Sequence, residues 1–162
     1  MQARIETPVG PMMAGAVRDG ICLLEFTERR IQKEVQALAQ RYHAAVHDGW
    51  TDHLRQLKRE LGEYFAGKRK RFTVPVVAPG TAFEEAVWQN LREIPYGSTI
   101  SYTELAARVG KPSATRAVGS ANGRNRIAIV IPCHRVVNSN GELGGYGGGL
   151  WRKQHLLELE GA

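Results

Sequence analysis

Cys133 lies in the hexapeptide Ile131-Pro132-Cys133-His134-Arg135-Val136, with a histidine next to it and an arginine one residue further on. A cysteine attacks as its thiolate and therefore needs a base or a positive environment. Both are at hand: His134 can take a proton, Arg135 adds charge, and no Asp or Glu occurs between positions 105 and 141. A thiolate is a soft nucleophile suited to SN2 attack on an alkyl carbon, and the thioether it forms is hard to reverse. A carboxylate that orients the histidine would complete a relay. Glu142, Glu158 and Glu160 all follow in the chain, and spacing does not choose among them. The other cysteine, Cys22, sits in the apolar run Gly20-Ile21-Cys22-Leu23-Leu24 and reads as a buried structural thiol. His43 and His47 stand one helical turn apart but lack the further ligands of a closed zinc site.

The elements that must position Cys133 are punctuated clearly. Residues 127–131 form a continuous apolar run, a predicted buried strand or extended segment leading to Pro132-Cys133. Upstream, Thr81 with Glu84 forms a capping-box signature, and Phe83, Val87 and Leu91 supply the buried face of the helix that follows. Pro95-Tyr96-Gly97 stops it. Ser101 with Glu104 opens a second helix, which carries Leu105 and Val109 and closes at Gly110. Lys111-Pro112-Ser113 is a short turn before a third helix over 114–122, so the pair matches a helix-turn-helix. That third helix is built of small residues around a single charge, Arg116. Such a surface suits close approach to a backbone or narrow groove, with one long side chain able to reach into a base stack. Downstream, five glycines surround Tyr146 in a loop that lacks the Gly-Lys-Ser/Thr ending of a phosphate loop, and a last helix runs from about 151 to 160.

The first half reads as a small α/β unit without chemistry. Apolar segments at 12–18 and 21–26 flank the hairpin signal Asp19-Gly20. Helices follow, one marked by Ile31, Val35, Leu38, Ala39 and Tyr42, the other by Leu54, Leu57, Leu61 and Phe65. Residues 72–77 read as a strand and Ala78-Pro79-Gly80 as a linker. The run Lys68-Arg69-Lys70-Arg71 reads as a solvated loop. The 162 residues are 43% hydrophobic and 23% charged with a net charge of +6, the composition of a globular domain or two small ones. No apolar stretch is long enough to span a bilayer, and Met1-Gln2-Ala3-Arg4 is no signal peptide, so a cytoplasmic protein without membrane contact is expected. Arg108, Lys111, Arg116, Arg124, Arg126 and Arg135 all fall in the acid-free segment, a predicted polyanion footprint around the nucleophile.

Pro132-Cys133-His134-Arg135-Val136, Arg116-Ala117-Val118-Gly119, Ile94-Pro95-Tyr96-Gly97 and Gly145-Tyr146-Gly147-Gly148-Gly149 together resemble the O6-alkylguanine-DNA alkyltransferase family, also called methylated-DNA–protein-cysteine methyltransferases. The resemblance runs unbroken from about residue 80 to 160. It is looser before that, through Thr7-Pro8-Val9-Gly10 and Leu61-Gly62-Glu63-Tyr64-Phe65-Ala66-Gly67. It implies a ribonuclease H-like α/β domain (1–78) with a small antiparallel sheet, then a mainly α DNA-binding and alkyl-acceptor domain (79–162) with a winged-helix-like helix-turn-helix.

The same resemblance implies roles. Cys133 accepts the alkyl group of O6-alkylguanine, and of O4-alkylthymine, once per molecule. His134 acts as its base through a water, Glu160 orients His134, Asn125 bridges the helix-turn-helix to the active-site turn, and Tyr102 helps protonate the departing guanine. Arg116 fills the stack after the damaged nucleotide flips out. Ser101, Ala117, Ser120, Ala121, Arg124 and Arg135 join Arg116 in DNA contact. Tyr102, Val136, Tyr146, Gly147 and Gly148 line the base pocket. The implied partner is double- or single-stranded DNA carrying the lesion, bound through its minor groove by a monomer, with no cofactor and no metal. Asn125-Arg126 departs from the family's usual Asn-Pro, and the zinc ligands of the animal members have no match. A DNA-binding lesion sensor or regulator lacking transfer, and a cysteine hydrolase, are the competing readings. The presence of Cys133 opposes the first, and the adjacency of Cys133 and His134 opposes the second.

Overall fold

The computed structural model describes residues 1–162, which divide into two compact units, Met1–Ala78 and Pro79–Ala162. In the first, strands β1 (Gln2–Ile5), β2 (Met12–Val17) and β3 (Gly20–Phe26) form an antiparallel sheet in the order β1-β2-β3. The hairpin turns at Arg18-Asp19, one residue ahead of the Asp19-Gly20 pair that signals it, and β3 is buried along its whole length. Gly20 has a φ of +155°, and a Cβ there would lie 2.5 Å from the carbonyl oxygen of Pro75, so only glycine fits. Helices α1 (Ile31–Arg41) and α2 (Asp52–Phe65) pack against the sheet. Thr51 caps α2 by accepting from the Leu54 N–H at 3.2 Å. The buried stripe of α2 is Leu54, Leu57, Glu60, Leu61 and Tyr64, so Tyr64 takes the inward place expected of Phe65.

The stretch 72–77 is not the strand its composition suggests. Its one sheet contact is a parallel bridge between Ile21 and Val76, because Pro75 has no N–H to donate and the N–H groups before it go elsewhere. Glu60, fully buried, accepts from the backbone N–H of Thr73 at 2.6 Å and of Val74 at 3.2 Å, and from the Thr73 hydroxyl at 2.9 Å. A buried carboxylate thus replaces a ladder. The run 68–71 is a loop, with Arg69 tied to Glu63 and to the Arg71 carbonyl.

In the second unit, α3 (Ala82–Arg92) opens on the reciprocal pair of Thr81 and Glu84, with bonds of 3.1 and 3.0 Å. Val87 and Leu91 are buried as expected, but Phe83 is only half-buried. Trp88 does more, since its indole N–H donates to the Ala121 carbonyl at 2.9 Å. Ser101 caps α4 (Tyr102–Arg108), and a turn leads to α5 (Thr115–Gly123). Two short strands, β4 (Ile100–Ser101) and β5 (Val136–Val137), pair in parallel, a link that two-residue strands do not advertise in sequence. Helix α6 (Leu150–Glu160) completes the unit.

The apolar run 127–131 is buried, but it is a turn rather than a strand. Ile131 N–H returns to the Ile127 carbonyl at 3.0 Å and Val130 N–H to Ala128 at 2.8 Å. The reason is Asn125, whose side chain accepts from Ile127 N–H at 3.0 Å and donates to the Ile131 carbonyl at 2.8 Å, closing the segment on itself.

Burial pushes the Glu60 pKa up, but hydrogen bonds from Gln56, Thr73 and Val74 outweigh it and hold the carboxyl below its ordinary value. Its stabilisation is therefore present above the unfolded carboxylate pKa and lost as pH falls through the folded value. Glu60→Gln should cost about 1–3 kcal/mol at pH 7 by urea denaturation. The gap to the parent protein should narrow below about pH 4, near the ordinary carboxylate pKa.

Candidate active site

Cys133 opens a single 3-10 turn, Cys133–Arg135, directly after the 127–131 turn. Its N–H donates to the Ile131 carbonyl at 2.8 Å, and the residue is 8% exposed. Ile129, just upstream, has a φ of +71°, a left-handed conformation costly for a β-branched residue. Asn125 holds that turn, and Asn122 at the end of α5 brings its amide 3.4 Å from the Cys133 carbonyl. The helix-turn-helix and the nucleophile's turn are thereby fastened together by two asparagines. Asn125 was legible in sequence; Asn122 was not, because an asparagine on the last turn of a helix ordinarily reads as a stop signal.

The carboxylate left open by spacing is Glu160. Its Oε2 lies 2.8 Å from His134 Nε2, while Arg135 donates through Nε to Oε1 at 2.8 Å and through Nη2 to Oε2 at 3.0 Å. Glu142 and Glu158 are exposed. All three members of the Glu160 cluster are buried, and Arg135 Nη1 also donates to the Ile94 carbonyl at 2.8 Å. The turn after Ile94 closes against the same helix end, with the Tyr96 hydroxyl donating to the Leu159 carbonyl at 3.2 Å. Burial lowers the His134 pKa, against the opposing pull of Glu160, so the imidazole is neutral at pH 7. A neutral ring facing a carboxylate places its proton on Nε2. Nδ1, which makes no hydrogen bond within the protein, is then the basic lone pair.

Tyr102, at the start of α4, adjoins this centre. Burial raises its pKa and the charge of Cys133 raises it further, against a hydrogen bond with Asn122, so the phenol stays protonated at neutral pH. The glycine loop covers its ring: at Gly144, with φ of +72°, a Cβ would lie 3.3 Å from Tyr102 and 3.0 Å from Asn138. In this loop Tyr146 is half-buried, Gly147 exposed and Gly148 buried. Two basic residues on α6 that the sequence reading passed over hold it. Arg152 donates to the Gly148 carbonyl at 3.0 Å, and the fully buried Lys153 donates to the carbonyls of Leu143 and Gly145. Lys153 also donates to the Val136 carbonyl at 2.6 Å, leaving that oxygen one lone pair for other partners. The missed signal was spacing: Lys153, Leu156, Leu157 and Glu160 recur at i, i+3, i+4 and i+7, so the lysine lies on the buried stripe.

Sequence models of two domains match the chain: "6-O-methylguanine DNA methyltransferase, ribonuclease-like domain" over residues 2–78, and "6-O-methylguanine DNA methyltransferase, DNA binding domain" over 82–162. The chain belongs to the 6-O-methylguanine DNA methyltransferase family. It is 42% identical to the methylated-DNA–protein-cysteine methyltransferase of Methanosarcina acetivorans, over 99% of this chain and 97% of the relative. Among solved structures, Mycobacterium tuberculosis OGT in complex with DNA aligns with a TM-score of 0.84 and 40% identity, covering 98% of this chain and 91% of that one. The enzyme of Pyrococcus kodakaraensis aligns with a TM-score of 0.72 and 25% identity over 99% and 98%.

In this member of the 6-O-methylguanine DNA methyltransferase family, the cationic surface is narrower than a count of arginines suggests. Arg116 on α5 is exposed and free of ion pairs, and Ala117 and Ser120 are exposed beside it. Ala121 is fully buried against Trp88, so it is corrected from a DNA-contact position to a packing one. Arg135 is corrected likewise, since its guanidinium is spent on Glu160 and Ile94. Arg124 is half-exposed but paired with Glu84 at 2.6 Å and with the Ser120 hydroxyl at 2.9 Å, and Arg108 pairs with Glu104. The Ser101 hydroxyl is engaged as a helix cap. Val136 is fully buried, which leaves only its backbone for a base. Arg126, in place of the family's proline, turns back to the Pro79 carbonyl at 3.4 Å.

Removing the Glu160 carboxylate strands a buried guanidinium. Glu160→Ala should lose about 3–5 kcal/mol of stability in urea denaturation, the cost of breaking a buried pair from one side. A loss below about 1 kcal/mol would mean that the cluster is not the anchor its geometry describes.

Proposed function

We propose that this protein repairs DNA by direct reversal, moving the alkyl group of O6-alkylguanine irreversibly to Cys133, one group per molecule. The observation that carries the reading is the chain Cys133–His134–Glu160: a nucleophile, a neutral histidine with a free Nδ1 lone pair, and a buried carboxylate 2.8 Å from Nε2. The names of the relatives, methylated-DNA–protein-cysteine methyltransferases, agree with it.

The chemistry balances within these residues. The Cys133 proton passes to His134 Nδ1, directly or through one water, and the ring shares the positive charge with Glu160. The thiolate attacks the alkyl carbon in line, so the S–C bond forms as the C–O6 bond breaks and the electron pair moves onto the guanine. Tyr102, held protonated by burial, supplies a proton to the leaving base. No later step restores the thiol, so the protein is consumed. O4-alkylthymine offers the same kind of carbon and is a second substrate.

DNA is the partner, as it is for Mycobacterium tuberculosis OGT in its solved complex. The reactive carbon lies inside a duplex, so the nucleotide must rotate out. Arg116 then fills the gap from the minor groove, a role supported by its exposure on a helix of small residues. A monomer suffices, and single-stranded DNA also serves.

Intact-mass measurement after mixing with O6-methylguanine DNA should show the gain of one methylene equivalent per protein, mapped to Cys133 and absent in Cys133→Ser. Tight binding with unchanged mass would favour a lesion sensor, and turnover beyond one equivalent a hydrolase. Arg116→Ala should slow repair of duplex DNA by about tenfold or more, because flipping costs a few kcal/mol. Reaction with free O6-benzylguanine should be nearly unchanged; equal losses would reject the finger role.

A further inference from the structure

Lys153 is the most unusual side chain outside the Cys133–His134–Glu160 chain. It is fully buried, and each of its three N–H donors has a carbonyl partner: Val136 at 2.6 Å, Leu143, and Gly145 at 3.1 Å. A lysine is rarely taken wholly out of water, and desolvation lowers its pKa to about 8, with the Cys133 charge acting in the opposite direction. Its ammonium lies 5.9 Å from the centroid of the Tyr102 ring. With all three donors engaged, it has none left to hold a substrate. Its partners, however, lie on the two segments that border the nucleophile: β5, which begins three residues after Cys133, and the glycine loop.

We propose that Lys153 is a positioning residue for the transfer, clamping the glycine loop to the strand that leaves Cys133 and placing a buried positive charge beside the thiolate. This rests on the proposed alkyl transfer to Cys133 and adds a second control on the nucleophile. Helix α6 then presents opposite charges one heptad apart on a single face. Glu160 serves His134 and Arg135, and Lys153 serves the glycine loop and β5. The charged and titratable groups facing this space are His134 and Arg135 from the 3-10 turn, Tyr102 from α4, and Glu160 and Lys153 from α6. Arg135 is neutralised by Glu160 and His134 is neutral, so the cation left unmatched by a carboxylate is Lys153.

The test is the pH dependence of Cys133 alkylation by iodoacetamide, followed by mass spectrometry on the full chain. In that reaction the thiol proton leaves to solvent, the S–C bond forms and iodide departs, and no DNA is needed. Lys153→Met should move the thiolate midpoint upward by about 1 pH unit, as loss of a close opposite charge does. Lys153→Arg should leave it within a few tenths. Transfer from O6-methylguanine DNA should fall by up to about tenfold in Lys153→Met at pH values below the parent midpoint, and recover as pH is raised above the shifted one. Amide hydrogen exchange over 143–149 should quicken in Lys153→Met and stay slow in Lys153→Arg. Should Lys153→Met fail to fold, Lys153→Gln, which keeps two donors but no charge, carries the same comparison. An unmoved midpoint in a folded, charge-free variant overturns the electrostatic role, and unchanged loop exchange overturns the clamp. If the parent protein takes no alkyl group from DNA but the iodoacetamide midpoint still moves, the proposed repair function fails and the charge effect on Cys133 stands.

Discussion

One buried carboxylate organises the second unit. Glu160 accepts from His134 and twice from Arg135, all out of water. Taking an acid and a guanidinium into a protein interior carries a large desolvation cost, offset only when geometry is good and the remaining donors and acceptors find partners. Here Arg135 also donates to Ile94 and the end of α6 receives the Tyr96 hydroxyl, so the penalty is met by a cluster in which His134 Nδ1 alone is left without a partner. The arrangement fixes where α6 ends relative to the Cys133 turn. It also sets the His134 tautomer, because a ring facing a carboxylate must present a proton to it.

Charge pairing also explains why the unit is basic by composition yet has a small free cationic surface. Arg135 is committed inside, Arg124 and Arg108 to glutamates, Arg126 to a carbonyl, and Lys153 and Arg152 to the glycine loop. Half of these cations, Arg135, Lys153 and Arg152, build the site instead of facing outward. Arg116 stands apart because α5 carries no acid to pair with it. A helix that looks under-decorated is thereby left with one long, unpaired side chain.

Backbone economy matters as much as charge around the nucleophile. The turn over 127–131 strains Ile129 into a left-handed conformation, and Asn125 holds it there by giving the turn both a donor and an acceptor. Gly144, with a φ of +72°, lets the loop lie against Tyr102 where a side chain would be strained and tightly packed. These features put a thiol, a neutral histidine and a protonated phenol around one small space, and none of them depends on a long element of regular structure.

Much of this was readable from the chain itself. The capping pairs Thr81/Glu84 and Ser101/Glu104, the Asp-Gly hairpin and the apolar helical stripes are local signals, and they placed the sheet and most helices correctly. Cys133 with His134 was legible because adjacent residues need no fold to be neighbours. What spacing alone could not supply was partnership across distance. The family resemblance named Glu160 over Glu142 and Glu158, and a 2.8 Å contact spanning 26 positions joins it to His134. The extended look of 72–77 and 127–131 was overridden by Glu60 and Asn125, whose side chains captured backbone groups that a ladder would have used. Arg135 and Ala121 turned inward, and Lys153 became part of the site, because burial is set by which faces of separate helices meet. The sequence by itself determined the Cys133–His134 pair and most of the helices around it. The tertiary structure alone decided which charges neutralise one another, since pairing depends on distances that folding creates.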